Sequence, residues 1–449
     1  MTGPVLRVVT VIVATVATWV APLASAVTPA PVDGGLLPPA GPPAPRTPTE
    51  QTHACVEDVP AAQTSRTPLD LAEQEALWRL TKGAGQTVAV IDTGVARHRL
   101  LPHLLPGGDF VSSGDGTQDC DGHGTIVAGI IGAASGPEGF GGIAPDAGIL
   151  AIRQSSNLFR VIEGSGGAGV GDVDTLAAAV RTAADAGATV INISSVACVP
   201  AEQGFDDRAL GAALAYAVDV KNVVVVAAAG NVGGAGQCPR QNPAPDPADP
   251  GRPNWDAVDV VTSPAWYDDY VLTVGSVDRA GAPSAFTLAG PWVDVAAPGE
   301  AVVSLSPRGE GLVDSVHDST GRKPLSGTSY AAPIVTGIAA LVRAASPELT
   351  ARQVMRTIED TAHHPAAGWD PWQGHGVVDA LAAVSSTGAR PSPVPSPAVV
   401  GGRPPPAHPG AASRRASLIG AAGCVALVTL VIAASTRRSR RRGKPVAND

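Results

Sequence analysis

Charged residues are scarce in this 449-residue chain, at 16% against 44% hydrophobic, and no internal repeat divides it. So apolar a composition excludes a wholly disordered protein. The net charge of −9 has the wrong sign for a general nucleic-acid binder, so no nucleic-acid partner is expected. No acidic cluster has calcium-loop spacing, so neither a required metal nor a cofactor is expected. Cysteines number only five. Glycine and proline are abundant instead, at 52 and 42, which points to loops and Pro-rich linkers.

The two ends carry the targeting signals. A single cation, Arg7, precedes an uncharged run over residues 8–20 and the small-residue triplet Ala24-Ser25-Ala26. That pattern predicts a secretory signal peptide over residues 1–26. Residues 416–434 form a second uncharged run, about 28 Å long as a helix and enough to cross a hydrocarbon core. Arg414 and Arg415 precede it, and Arg437, Arg438, Arg440, Arg441, Arg442 and Lys444 follow. We expect a transmembrane helix over 416–436 in the cytoplasmic membrane, with a basic cytoplasmic tail over 437–449. No Leu-Pro-x-Thr-Gly motif precedes the run, which favours a retained anchor over a cell-wall sorting signal. The protein between the two ends then lies on the extracytoplasmic side.

Residues 27–50 and 386–415 hold eight prolines each. They read as an extended N-terminal arm, spanning 27–73, and a stiff linker over 386–415. Between them, residues 74–385 alternate β-branched runs with helical patterns. Strands are expected at 87–91, 148–152, 189–193, 223–227, 272–274 and 292–295. Helices are expected at 123–134, 173–186, 205–219, 329–345 and 350–361. This alternation predicts an α/β fold, a parallel sheet flanked by helices, with function gathered at the carboxyl ends of the strands.

Four segments deliver chemistry to those ends. The strand at 87–91 runs into Asp92-Thr93-Gly94. His123 lies between Gly122 and Gly124 at the start of a small-residue helix. Asn231 follows the apolar run 223–229. Ser329 opens the helix ending at 345, where free backbone N–H groups and the helix dipole favour negative charge. Each alone is weak, since an acid at a strand end, a surface histidine, a Gly-Asn turn and a serine cap are all common. Together they supply an acid, a base, an oxyanion donor and a nucleophile, a set suited to acyl transfer.

The chain order Asp, His, Asn, Ser resembles that of the subtilisin family of serine proteases. The resembling motifs are Val90-Ile91-Asp92-Thr93-Gly94, His123-Gly124-Thr125 and Gly327-Thr328-Ser329-Tyr330-Ala331-Ala332-Pro333, over a match from about 74 to 385. The resemblance implies a three-layer subtilisin-like fold. It also implies an Asp92/His123/Ser329 triad, with Asn231 and the Ser329 N–H in the oxyanion hole. The layout of signal, Cys-bearing arm, protease domain, Pro-rich stalk and single span is similar to that of mycosins, the membrane-anchored proteases of type VII secretion systems. Gln51-Thr52-His53-Ala54-Cys55 and Ala151-Ile152-Arg153-Gln154-Ser155-Ser156 support this. It implies substrates secreted by that system and contacts with its membrane components. A mainly structural docking role and a general cell-surface protease are the alternatives.

Two departures from secreted subtilisins stand out. Ser194-Ser195-Val196 replaces the usual Ser-Leu-Gly of the cleft strand, and residues 232–263 form an insertion able to cover the cleft. Cys424 falls in the expected span, leaving Cys55, Cys120, Cys198 and Cys238 in an oxidising compartment. Strands 189–193 and 223–227 are expected to be neighbours, and the loops after them carry Cys198 and Cys238. That order favours Cys198–Cys238 and leaves Cys55–Cys120. The arm, at 48 residues from Val27 to Gln74, is too short and Pro-rich to bury its own core. We expect it to wrap the domain permanently.

Overall fold

The computed structural model describes residues 27–386 except 62–68, 70, 137–138, 163–168, 235–236 and 319–320. The expected signal peptide, span and basic tail, and the linker beyond residue 386, lie outside the described residues.

The arm is extended, with two short strands, β1 (Thr49–Gln51) and β2 (Asp58–Pro60). Helix α1 (Leu71–Leu80) crosses the expected domain boundary at 73/74. Strands β3 (Thr87–Asp92) and β4 (Leu104–Asp109) precede helix α2 (His123–Gly132). Next come β5 (Gly148–Arg153), β6 (Phe159–Val161), α3 (Val173–Asp185) and β7 (Val190–Ile193). Strand β8 (Ala197–Pro200), helix α4 (Arg208–Ala215) and strand β9 (Val224–Ala228) follow. After these lie β10 (Val260–Ser263), β11 (Leu272–Val277) and β12 (Val295–Pro298). Strands β13 (Ser304–Leu305), β14 (Leu312–Asp318) and β15 (Gly321–Pro324) form a small antiparallel sheet with β2. Helices α5 (Thr328–Ala345), α6 (Ala351–Asp360) and α7 (Ala380–Ser385) complete the described chain.

Seven strands form one parallel sheet in the order β12-β11-β9-β7-β3-β5-β4. Its central strands are buried on both faces, which is why they read as continuous runs such as Val-Val-Val-Ala-Ala in β9. Helices α2 and α5 pack together, and α5 also lies against β7, β9, β11 and β12. Among the described residues, α5 alone is long and apolar enough to cross a membrane, but 83% of it is buried in the protein interior. It is a core helix.

The expected elements recur with local differences. The last sheet strand is Val295–Pro298, not 292–295. Val293 N–H closes a turn onto the Gly290 carbonyl, and Trp292 is fully buried beside the Trp255 ring, so pairing with β11 begins only at Val295. The helix expected at 205–219 begins at Arg208 and loosens into a π turn over Tyr216–Val220. Before it, the Asp207 carboxylate accepts hydrogen bonds from Ser263, Trp266 and Tyr267. Strand β4 was not expected, because Leu-Leu-Pro-Gly-Gly-Asp reads as a turn. It lies at the sheet edge with a bulge between Pro106 and Gly108, where proline is tolerated.

The arm wraps the domain. Val27 N–H bonds the Trp255 carbonyl, and Arg46 pairs with Asp174 at 2.7 Å. β1 pairs antiparallel with β6, and β2 with β14. Both expected disulfides are present, Cys55–Cys120 and Cys198–Cys238. The first closes a separation of 65 residues and ties the arm beside α2. Losing such a tie typically costs about 2–4 kcal/mol. Deleting residues 27–60 should therefore lower the melting temperature by about 10 °C, at roughly 3 °C per kcal/mol, without raising peptidase activity. Strong activation in a peptide assay would show that the arm is an inhibitory pro-segment instead.

Candidate active site

Asp92 is the last residue of β3, and His123 is the first residue of α2. For these elements to touch, the backbones must come close. A Cβ on Gly124 would sit 2.0 Å from the Gly94 carbonyl oxygen, so only glycine fits there. The Asp92 side chain is fully buried. Its Oδ1 accepts hydrogen bonds from Thr93 N–H at 2.7 Å and His123 Nδ1 at 2.8 Å. This places the imidazole proton on Nδ1 and leaves Nε2 to exchange one. The ring is 28% exposed and lies 5.4 Å from the Tyr330 ring. Burial disfavours its charged form, but the Asp92 charge and hydrogen bond outweigh this, with Asp119 and Asp121 adding to them. The His123 pKa is held above its ordinary value.

Ser329 is the second residue of α5, behind the N-cap Gly327, not the cap itself. Its N–H is one of the four that an α-helix leaves unpaired at its start. Gly327 allows a crowded approach, since a Cβ there would lie 3.2 Å from Ser329 Oγ and 3.5 Å from Asn231 Nδ2. Asn231 follows β9. Its Oδ1 accepts from Thr328 N–H at 2.9 Å and Thr328 Oγ1 at 3.2 Å, which fixes the amide with its N–H₂ as the free donor. Among the described residues no hydrogen bond joins Ser329 to His123. Such contacts commonly tighten only when substrate binds.

Thr93, Asp121, His123, Asn231 and Ser329 share one open cleft of about 550 Å³. Its walls include Val56 of the arm, Ser194-Ser195-Val196, and the disulfide Cys198–Cys238. Among the described residues, the insertion after Asn231 contributes only Gln237 and Cys238. The remainder is held elsewhere, because the buried Asn242 amide donates to the Val260 and Ala289 carbonyls. Asn242–Pro245, Ala257 and Val258 then lie beside Gly290 and Trp369, so this part of the insertion does not cover the cleft.

Sequence reasoning did not find the polar chain behind Ser329. Thr336 Oγ1 donates to Asn192 Oδ1, Asn192 Nδ2 donates to Ser194 Oγ, and Ser194 Oγ donates to the Ser329 carbonyl at 2.9 Å. An asparagine within the buried run Val-Ile-Asn-Ile was its one visible signal. Among the described residues no group of three or more His, Cys, Asp or Glu side chains is arranged to hold a metal ion.

The Subtilase family model matches residues 83–376. The chain is 56% identical to Mycosin-4 of Mycobacterium tuberculosis, over 95% of each. A solved structure of MycP3 protease from the type VII (ESX-3) secretion system is 45% identical and superposes with a TM-score of 0.73, covering 80% of this chain and 99% of that one. A chain in the structure of an intact ESX-5 inner membrane complex is 40% identical, with a TM-score of 0.73, over 91% of this chain and all of that one.

Proposed function

The chain belongs to the subtilase family of serine proteases, among the mycosins, and on that premise we propose how its residues act and where it works. Ser329 attacks the scissile carbonyl. His123 takes the serine proton at Nε2 and returns it to the leaving amine. Asp92 holds the imidazole tautomer and stabilises the imidazolium. Asn231 Nδ2 and the Ser329 N–H receive the oxyanion, at the positive end of α5. The observation that carries this reading is the 2.8 Å Asp92–His123 hydrogen bond in the cleft that also holds Ser329 and Asn231.

The substrates are secreted proteins or peptides of a type VII system, and the partners are that system's membrane components. This rests on likeness to proteins solved from such systems and within an inner membrane complex. The catalytic domain faces the extracytoplasmic side, anchored by residues 416–436. The test is complementation of a deletion strain with wild type and with Ser329→Ala. Both should co-purify with the membrane complex, and only the wild type should restore processing of a secreted substrate. Processing restored by Ser329→Ala would reject the catalytic assignment, and loss of co-purification by both would reject the partner.

A further inference from the structure

The Asp92–His123 pair sits on two different elements, so something must fix the end of β3 against the start of α2. We propose that Asp119 is the positioning residue for this pair. It locks the two elements together and holds a second negative charge behind the imidazole. The inference rests on the roles given above to Asp92, His123 and Ser329.

Asp119 collects four donors. Its Oδ1 accepts from Thr93 Oγ1 at 2.8 Å and Gly122 N–H at 2.7 Å. Its Oδ2 accepts from Thr125 N–H at 2.8 Å and Thr125 Oγ1 at 2.6 Å. Both threonine hydroxyls are polarised toward it, because each accepts a backbone N–H on its other side. Gly124 N–H donates to Thr93 Oγ1 and Ala96 N–H to Thr125 Oγ1. The carboxylate thus clamps Thr93 and Ala96, just after β3, to Gly122, Gly124 and Thr125 at the start of α2. Thr93 is the residue whose N–H also holds Asp92 Oδ1.

The donor set also fixes the charge. Two donors at each oxygen suit an ionised carboxylate, whereas an asparagine would turn its N–H₂ against two of them. Burial works against that charge and raises the Asp119 pKa to about 6; the threonine hydrogen bonds oppose the rise and the neighbouring Asp92 adds to it. Asp119 does not line the cleft, so it does not touch substrate. The groups facing His123 are Asp92 from β3, Asp119 and Asp121 from the preceding loop, and the Tyr330 ring from α5.

The general base must be neutral, so kcat/KM falls as pH drops through the His123 pKa. A negative charge at Asp119 favours the imidazolium, so removing it should move that acid limb to lower pH. The experiment measures kcat, KM and the pH profile of full-length Asp119→Asn, Thr125→Val and Thr125→Ser on a peptide substrate. We expect Asp119→Asn to lose roughly 10- to 100-fold in kcat with KM within about twofold, and its acid limb to shift down. Thr125→Val should lose turnover with its limb in place, and Thr125→Ser, which keeps the hydroxyl, should recover most of it. An unmoved limb in Asp119→Asn, or equal kcat for Thr125→Val and wild type, would overturn the proposal. If Asp119→Asn does not fold, the two Thr125 variants decide alone. A wild type whose Ser329 does not react with a serine probe would sink the underlying assignment, a result distinct from reactive wild type with indifferent variants.

Discussion

Ser329→Ala should reduce peptide turnover by on the order of 10⁶-fold, a size carried over from loss of the nucleophile in a subtilisin. It should also abolish labelling by a sulfonyl fluoride. The fold should survive the change, because the Ser329 hydroxyl holds no hydrogen bond to another described residue and the site is second in a long, buried helix. The residual rate measures what the cleft achieves by binding and by oxyanion donors alone. Thermal melts and mass-spectrometric mapping of the label check both parts. Labelling that persists at Ser194 or Ser195, the other serines beside Val196 in the cleft, would move the nucleophile there.

Asp92→Asn should cost about 10⁴-fold in kcat, the size seen when a triad aspartate loses its charge but keeps its shape. Asp92 Oδ1 accepts from both Thr93 and His123, so an asparagine oxygen there can keep both hydrogen bonds but carries no charge to stabilise the imidazolium. With the main opposing charge gone, burial of the ring is less opposed and its pKa should fall, so the acid limb of kcat/KM should move to lower pH as well. Steady-state rates between pH 5 and 9 provide the check. A variant within tenfold of wild type would remove Asp92 from the mechanism.

How much of this was legible in the sequence depends on the range of the forces involved. Strand β3 announces itself, since Val88–Ile91 is a continuous buried run and Gly94 ends it. Asp92 and His123 sit in motifs whose glycines are required by close backbone approach, as at Gly94 and Gly124. Strand β4 was hidden because its proline and glycines are tolerated only at an edge with a bulge, and that position is known only once the sheet exists. Asn192, Ser194 and Thr336 were hidden for a related reason. Ser194 meets the Ser329 carbonyl across 135 residues, and a single polar side chain in an apolar run carries no local mark of its distant partner. The course of the 232–263 insertion was also invisible, because it depends on one buried amide, Asn242, finding carbonyls at Val260 near the insertion's end and at Ala289 beyond it.

The arm's two short strands matter in one more way. β1 lies along β6, and β2 covers the side of β14 opposite β13 and β15. Without them, β6 and β14 would each present a row of unpaired N–H and C=O groups to solvent, a template onto which a strand from a second molecule can add. The arm therefore shields these two short edges. A chain trimmed of the arm should be more open to strand addition between copies than the intact one.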